Sequence, residues 1–122
     1  MKKDMDLIRK ILLQIEEEYI DVALYNFSID GYDMETVAYH CALLFDGGYI
    51  ADYKGQYASN KLYAFGVSRL TWQGHEFLDT IRNNDVWSKT KVVLKEKALP
   101  LGFEMVSEVA SSIITKMLTG GA

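Results

Sequence analysis

An α+β fold is predicted for this chain of 122 residues by three observations: apolar residues at helical spacing near the start, two extended stretches in the middle, and two further helical stripes behind them. Residues 5 to 19 place Ile8, Ile11, Leu12, Ile15 and Tyr19 on one stripe, with Glu16 to Glu18 at its exposed end, so the first element is an amphipathic helix. Val22, Leu24, Asn26, Ser28 and Ile29 then sit near alternation before an Asp30-Gly31 turn signal, which predicts a short strand. Asp33 is placed to cap a second helix, in which Val37, Cys41, Leu44 and Phe45 repeat at helical steps and Gly47-Gly48 supply a left-handed end. Residues 49 to 53 and 62 to 71 read as the arms of a β-hairpin with a long polar loop. Thr71 caps the following helix, Gly74 lets it run close to a neighbouring backbone, and Trp72, Phe77, Leu78 and Ile81 form its buried face. Asn83-Asn84-Asp85 interrupts that helix. Asp85 is the expected cap of a further one through Trp87, Thr90, Val93 and Leu94, which Pro100 and Gly102 end. Residues 104 to 118 form the last, with Val106, Val109, Ala110, Ile113, Ile114 and Met117 on one face before a Gly-Gly-Ala tail expected to fray.

The order helix, strand, helix, hairpin, helix is that of a winged-helix-like domain, with the hairpin as the wing and additional helices at the C-terminus. It is read as one domain over residues 1 to 122, with a core at about 5 to 85 and a helical extension at about 86 to 119. The phrase Val37, His40, Leu44, Gly48, Ile50 before the hairpin and Leu70, Thr71, Gly74 after it support that order. With them, "MKKDMDLIRKILLQIEE", "VAYHCALLFDGGYI" and above all "RLTWQGHEFLDTIRNNDVWSKTK" resemble a family of small bacterial and phage proteins, domain-of-unknown-function family 2513. The resemblance covers nearly the whole chain. It implies a phage or mobile-element origin and a winged-helix-like fold, and it brings no activity with it.

A hydrophobic fraction of 49% with 25% charged residues is that of an ordinary globular protein. The longest apolar runs, Ile11 to Leu13 and Ala42 to Phe45, fall far short of the roughly 20 residues of a membrane span. No signal-peptide pattern follows Lys2 and Lys3, and the single Cys41 suits a reducing compartment, so a cytoplasmic location without membrane contact is expected. The net charge of −4 is unevenly spread. From Ile11 to Tyr53 there is no Lys or Arg but nine acids, whereas from Lys54 to Lys97 eight bases face four acids.

No nucleophile, base and orienting group are visible together, and the expectation is a protein that is not an enzyme, with no cofactor and no metal. His40 and Cys41 are adjacent on a helix, so their side chains diverge by about 100° and cannot act on one another. Cys41 is assigned to the core, and His75 to a structural hydrogen bond with a strand or the first helix. Glu16, Glu17, Glu18 and Asp21 read as a solvated helix end, and Trp72 and Trp87 as core. A helix reading the DNA major groove would carry Asp33, Glu35, Thr36 and Tyr39 and no base, which forfeits phosphate attraction. The favoured reading is therefore nucleic-acid contact led by the wing through Lys54, Lys61 and Arg69, with Lys89 and Lys91 on the following helix, against the plainer one of solvated lysines. The alternative is an interaction module without DNA contact: a homodimer through Val106, Val109, Ile113 and Met117 of the last helix, or an acidic inhibitor of a host protein.

Overall fold

A computed structural model describes residues 1–25 and 27–120. The protein is α+β, with five helices and one antiparallel two-stranded hairpin in the order α1 (Met5–Glu18), α2 (Met34–Asp46), β1 (Tyr53–Ala58), β2 (Lys61–Val67), α3 (Trp72–Ile81), α4 (Asn84–Glu96) and α5 (Phe103–Leu118). Two compact units divide between His75 and Glu76, within α3.

In the first unit α2 packs on α1 and on both strands. Asp4 caps α1, its carboxylate accepting from the Leu7 N–H at 3.1 Å, and most of the stripe read from the sequence turns inward: Ile8, Ile11, Leu12 and Ile15 are fully buried with Leu7, whereas Tyr19 is the extended residue that ends the helix and is only half-buried. At roughly 1.5–3 kcal/mol for each such side chain removed from water, this stripe contributes substantially to the unit's stability. Val37, Ala38, Cys41 and Leu44 of α2 and Phe65 and Val67 of β2 are buried with it.

Asp33 caps α2, accepting from the Thr36 N–H at 2.8 Å. The left-handed end of α2 is supplied by Gly48, at φ +80°, while Gly47 remains helical. The Tyr49 N–H reaches back to the Leu44 carbonyl and the Gly48 N–H to that of Phe45, which satisfies carbonyls the helix end would otherwise leave bare. Phe45, in the last turn, is 42% exposed.

The Asp30-Gly31 turn is present, the Tyr32 N–H bonding the Ile29 carbonyl at 3.2 Å. The strand expected before it is reduced to one residue. Leu24 exchanges both backbone hydrogen bonds with Val67, and no longer strand forms among the described residues, residue 26 lying outside them. Ile20 and Val22 are 87% and 69% exposed, so burial does not fix an alternating pattern at the start of this segment, although Phe27 and Ile29 further on are buried.

The hairpin loop is shorter than its composition suggested. Ser59 and Asn60 form a two-residue turn with φ +53° and +63°, the conformation that matches the twist of paired strands and that Asn accepts readily. A register shift between Gln56 and Tyr57 absorbs the odd residue, so the strands run closer to the tip than expected.

Thr71 caps α3 as its sequence suggests, its hydroxyl accepting from the Gly74 N–H at 3.1 Å and donating to the Gly48 carbonyl. Gly74 is required sterically, because a Cβ there would run into the Tyr49 carbonyl oxygen. That close approach turns the Gly74 side of the first turn of α3 onto the Tyr49 backbone. Phe77, Leu78 and Ile81 lie at helical steps from Gly74 and are buried, whereas Trp72, two residues before it, points about 200° away and is 76% exposed. Trp72 is thus not a core residue.

In the second unit α4 and α5 pack on each other. Asn83, rather than Asp85, caps α4: its side-chain oxygen accepts from both the Asp85 and Val86 N–H groups. The helix stops at Glu96, well before Pro100, where Ala98 takes φ +54° and the Leu99 N–H returns to the Leu94 carbonyl. Gly102 instead precedes α5 as its N-terminal flank, with no side-chain cap. Val86, Trp87, Leu94, Val106 and Ala110 are buried, and the Phe77 and Phe103 rings meet at 4.6 Å. Buried Thr90 donates its hydroxyl proton to the Val86 carbonyl, so the polar group is satisfied within its own helix.

Candidate nucleic-acid interface

The hairpin carries the basic residues nominated from the sequence. Lys54 stands opposite Gly66 near its base, Lys61 opposite Ala58 beside the turn, and Arg69 just beyond β2. At about 3.3 Å per extended residue, Lys61 to Arg69 spans roughly 25 Å of chain, so these are separate charges along one projection rather than a cluster. All three are exposed, and among the described residues Lys54 and Lys61 form no ion pair. Arg69 is less open. Its guanidinium donates to the Leu70 carbonyl at 3.2 Å, and it lines a cleft of about 110 Å³ together with Glu16, Tyr19 and His75.

Aromatic side chains accompany these bases, at two positions that the sequence pattern does not single out. Tyr57 and Tyr63, on either side of the turn, are 64% and 60% exposed. Tyr63 also borders a cleft of about 340 Å³ lined by Tyr25, Phe27, Tyr32 and Phe65. The signal that could have found Tyr57 and Tyr63 is the Ser59-Asn60 turn itself: once it is read as two residues, both tyrosines fall at a tip too narrow to be covered. On the opposite strand end Tyr53 is partly covered, and burial, with Tyr57 and Cys41 nearby, pushes its hydroxyl up to about 12.

α2 offers nothing to phosphate. Asp33 is engaged as cap, with its carboxyl held below the usual range by Thr36, and Glu35 is exposed beside it. His40 is fully occupied: its Nε2 accepts the Asp4 N–H at 2.8 Å and its Nδ1 lies 2.8 Å from the Thr36 carbonyl. Those partners demand the neutral ring with the proton on Nδ1. Asp4 in turn accepts from Tyr32 at 3.4 Å, so the start of α1, the loop before α2 and α2 itself are tied at one point. Cys41 is buried and burial pushes its thiol up to about 12, away from nucleophilic use. His75 Nδ1 lies 3.6 Å from the Glu16 carboxylate of α1, beside the first helix but too far for the structural hydrogen bond its position suggested. Among the described residues no group of three His, Cys, Asp or Glu is placed to hold a metal ion, and no helix is long and apolar enough to cross a membrane.

The remaining nominated residues lie in the second unit. Lys91 sits over the Trp87 ring at 5.4 Å. Lys89 borders a groove of about 510 Å³ between α4 and α5, lined by Ser88, Val92, Val93, Ile113, Lys116 and Met117. Of the four residues assigned to a partner-binding face, Ile113 and Met117 line this groove, Val109 is half-buried, and Val106 is fully buried in the unit's own packing.

Comparison with known proteins agrees with the resemblance carried by the sequence motifs. A relative from Haemophilus influenzae, bearing the name "Uncharacterized protein", is 41% identical over 119 residues, covering 97% of this chain and 99% of that protein. No solved structure matches. The family model described as "Hypothetical protein (DUF2513)" matches residues 2–100, and the chain belongs to that family.

Proposed function

We propose that this is a non-enzymatic binding protein of winged-helix-like arrangement that touches nucleic acid through its β1–β2 hairpin, in a cytoplasmic setting and with a phage or mobile-element origin. One observation carries the reading. The hairpin from Tyr53 to Val67 contains no carboxylate side chain, and it projects Lys54 and Lys61, which form no ion pair among the described residues, alongside exposed Tyr57 and Tyr63. Ammonium groups release counterions from phosphate, and tyrosine rings stack on bases of any sequence, so the combination suits recognition of backbone and base faces rather than base edges. The acidic, base-free α2 makes a major-groove recognition helix a poor alternative. Lys89 and Lys91 belong to the other unit and are not needed for this surface.

Fluorescence anisotropy of labelled duplex and single-stranded DNA, at low and at physiological salt, tests the proposal. With three phosphates neutralised, the log–log salt slope on duplex is expected near −2.7, at about −0.9 per contact. Binding should be lost in the combined Lys54→Ala, Lys61→Ala, Arg69→Ala variant. Absence of binding by the unaltered protein at low salt would retire the hairpin as a nucleic-acid surface. The groove between α4 and α5 favours a second reading, an interaction module.

A further inference from the structure

We infer that the α4–α5 groove docks an amphipathic helix of a partner protein, one whose apolar stripe is flanked by acidic residues. The floor of the groove is aliphatic and open: Val92 and Met117 are 53% and 50% exposed, with Val93 and Ile113 half-covered between them. Leu118, next along α5, is 83% exposed. Two packed helices leave between them a trough of the width a third helix fills, with axes about 8–10 Å apart. A flat bilayer does not enter such a trough.

The charges on its walls select the occupant. Lys89 stands on the α4 wall and Lys116 on the α5 wall, no carboxylate lines the groove, and among the described residues neither lysine is ion-paired. A helix lying in the trough meets an ammonium on each side of its apolar stripe, and carboxylates on both flanks would answer them. A second copy of this chain fits poorly. A two-fold contact centred on the groove would face Lys89 and Lys116 of one copy with the same two residues of the other. A contact using the acidic end of α1, Glu16 to Glu18, would offer no apolar stripe, since Ile8, Ile11, Leu12 and Ile15 are all fully buried. This surface is independent of the hairpin and stands whether or not nucleic acid binds there.

The test uses the full chain and two synthetic peptides of roughly 18 residues, about five helical turns, with the same leucine stripe flanked by Glu in one and by Lys in the other. In fluorescence titrations the Glu-flanked peptide should bind roughly tenfold more tightly, the scale of a few solvent-exposed ion pairs replaced by repulsions. Lys89→Glu combined with Lys116→Glu should reverse that preference with an unchanged thermal melt, both residues being exposed. Met117→Asp should weaken the Glu-flanked peptide. Failure to bind either peptide, or equal binding insensitive to the charge reversal, would overturn the inference. So would a dimer in sedimentation that Met117→Asp abolishes, which would put a second copy in the groove. Binding to phosphatidylserine vesicles that the same substitution abolishes would overturn it in favour of a lipid surface.

Discussion

α1 buries six of its 14 residues and α5 two of its 16, although both are stripes of aliphatic side chains at helical spacing. The difference lies in what each helix meets. α1 is tied at its start through Asp4 to His40 and Tyr32, and its whole stripe is covered. α5 begins without a side-chain cap and ends with Met117 and Leu118 in solvent. Helical spacing therefore identifies a sticky face in both, but only in α1 does that face belong wholly to the protein's own stability. The groove beside α5 leaves part of that helix's apolar stripe uncovered.

The largest effect expected from this contrast is on folding. Leu12→Ala removes a fully buried side chain and should destabilise by about 2–5 kcal/mol, read as a lowered urea midpoint. Met117→Ala, at 50% exposure, should change stability by no more than about 0.5 kcal/mol. A Met117→Ala loss comparable to that of Leu12→Ala would break the comparison, because it would mean that the face of α5 is covered in solution.

A second contrast is smaller and opposite in sign. α2 and α4 end in the same hydrogen-bonded motif, with the left-handed position held by Gly48 in one and Ala98 in the other. Left-handed backbone strains a residue bearing a Cβ by about 1–2 kcal/mol, while Gly loses about 0.5–1 kcal/mol more than Ala in conformational entropy. Nothing stands within 4 Å of where a Cβ on Gly48 would lie, so Gly48→Ala tests backbone strain alone. Gly48→Ala should lower stability and Ala98→Gly raise it, each by about 0.5–1 kcal/mol in chemical denaturation. Equal signs for the two would refute the shared motif.

These cases also show what could be read in advance. The five helices were legible because caps such as Asp33 and Thr71 and long apolar periods act locally. Hairpin placement was legible too, and with it Lys54 and Lys61 on the projection. The fate of Trp72 was not, since it points away from the side of α3 that Gly74 brings onto the Tyr49 backbone, a contact between segments distant in sequence. The strand before Asp30 failed for a related reason: alternation specifies a strand only where an edge is free to pair, and only Val67 receives Leu24. Asn83 displaced Asp85 as cap because adjacent polar residues compete for the same N–H groups, and composition does not rank them. The groove walls were invisible because Lys89 and Lys116 come together only when α4 folds back on α5.

The smallest effect at neutral pH concerns Cys41, and it separates the two units by reactivity rather than by stability. Burial raises its thiol from 9.0 to about 12, so the native protein keeps it neutral where an exposed thiol would already be ionising. Tyr53, on the strand beside it, is raised from 10.0 to about 12 mainly by the same desolvation. Because both folded values lie above the unfolded ones, the stability that goes with keeping these groups neutral is fully present below about pH 9 and is lost as pH rises towards 12. At mildly alkaline pH, about 8, Cys41 should therefore react with an aromatic disulfide reagent only as fast as the unit opens. A cysteine introduced by Ser112→Cys on the exposed side of α5, in a Cys41→Ala background, should react at the rate of a free thiol. Equal rates would show that the core around α2 opens as readily as the surface of α5, and the distinction between a closed first unit and an open second one would fail.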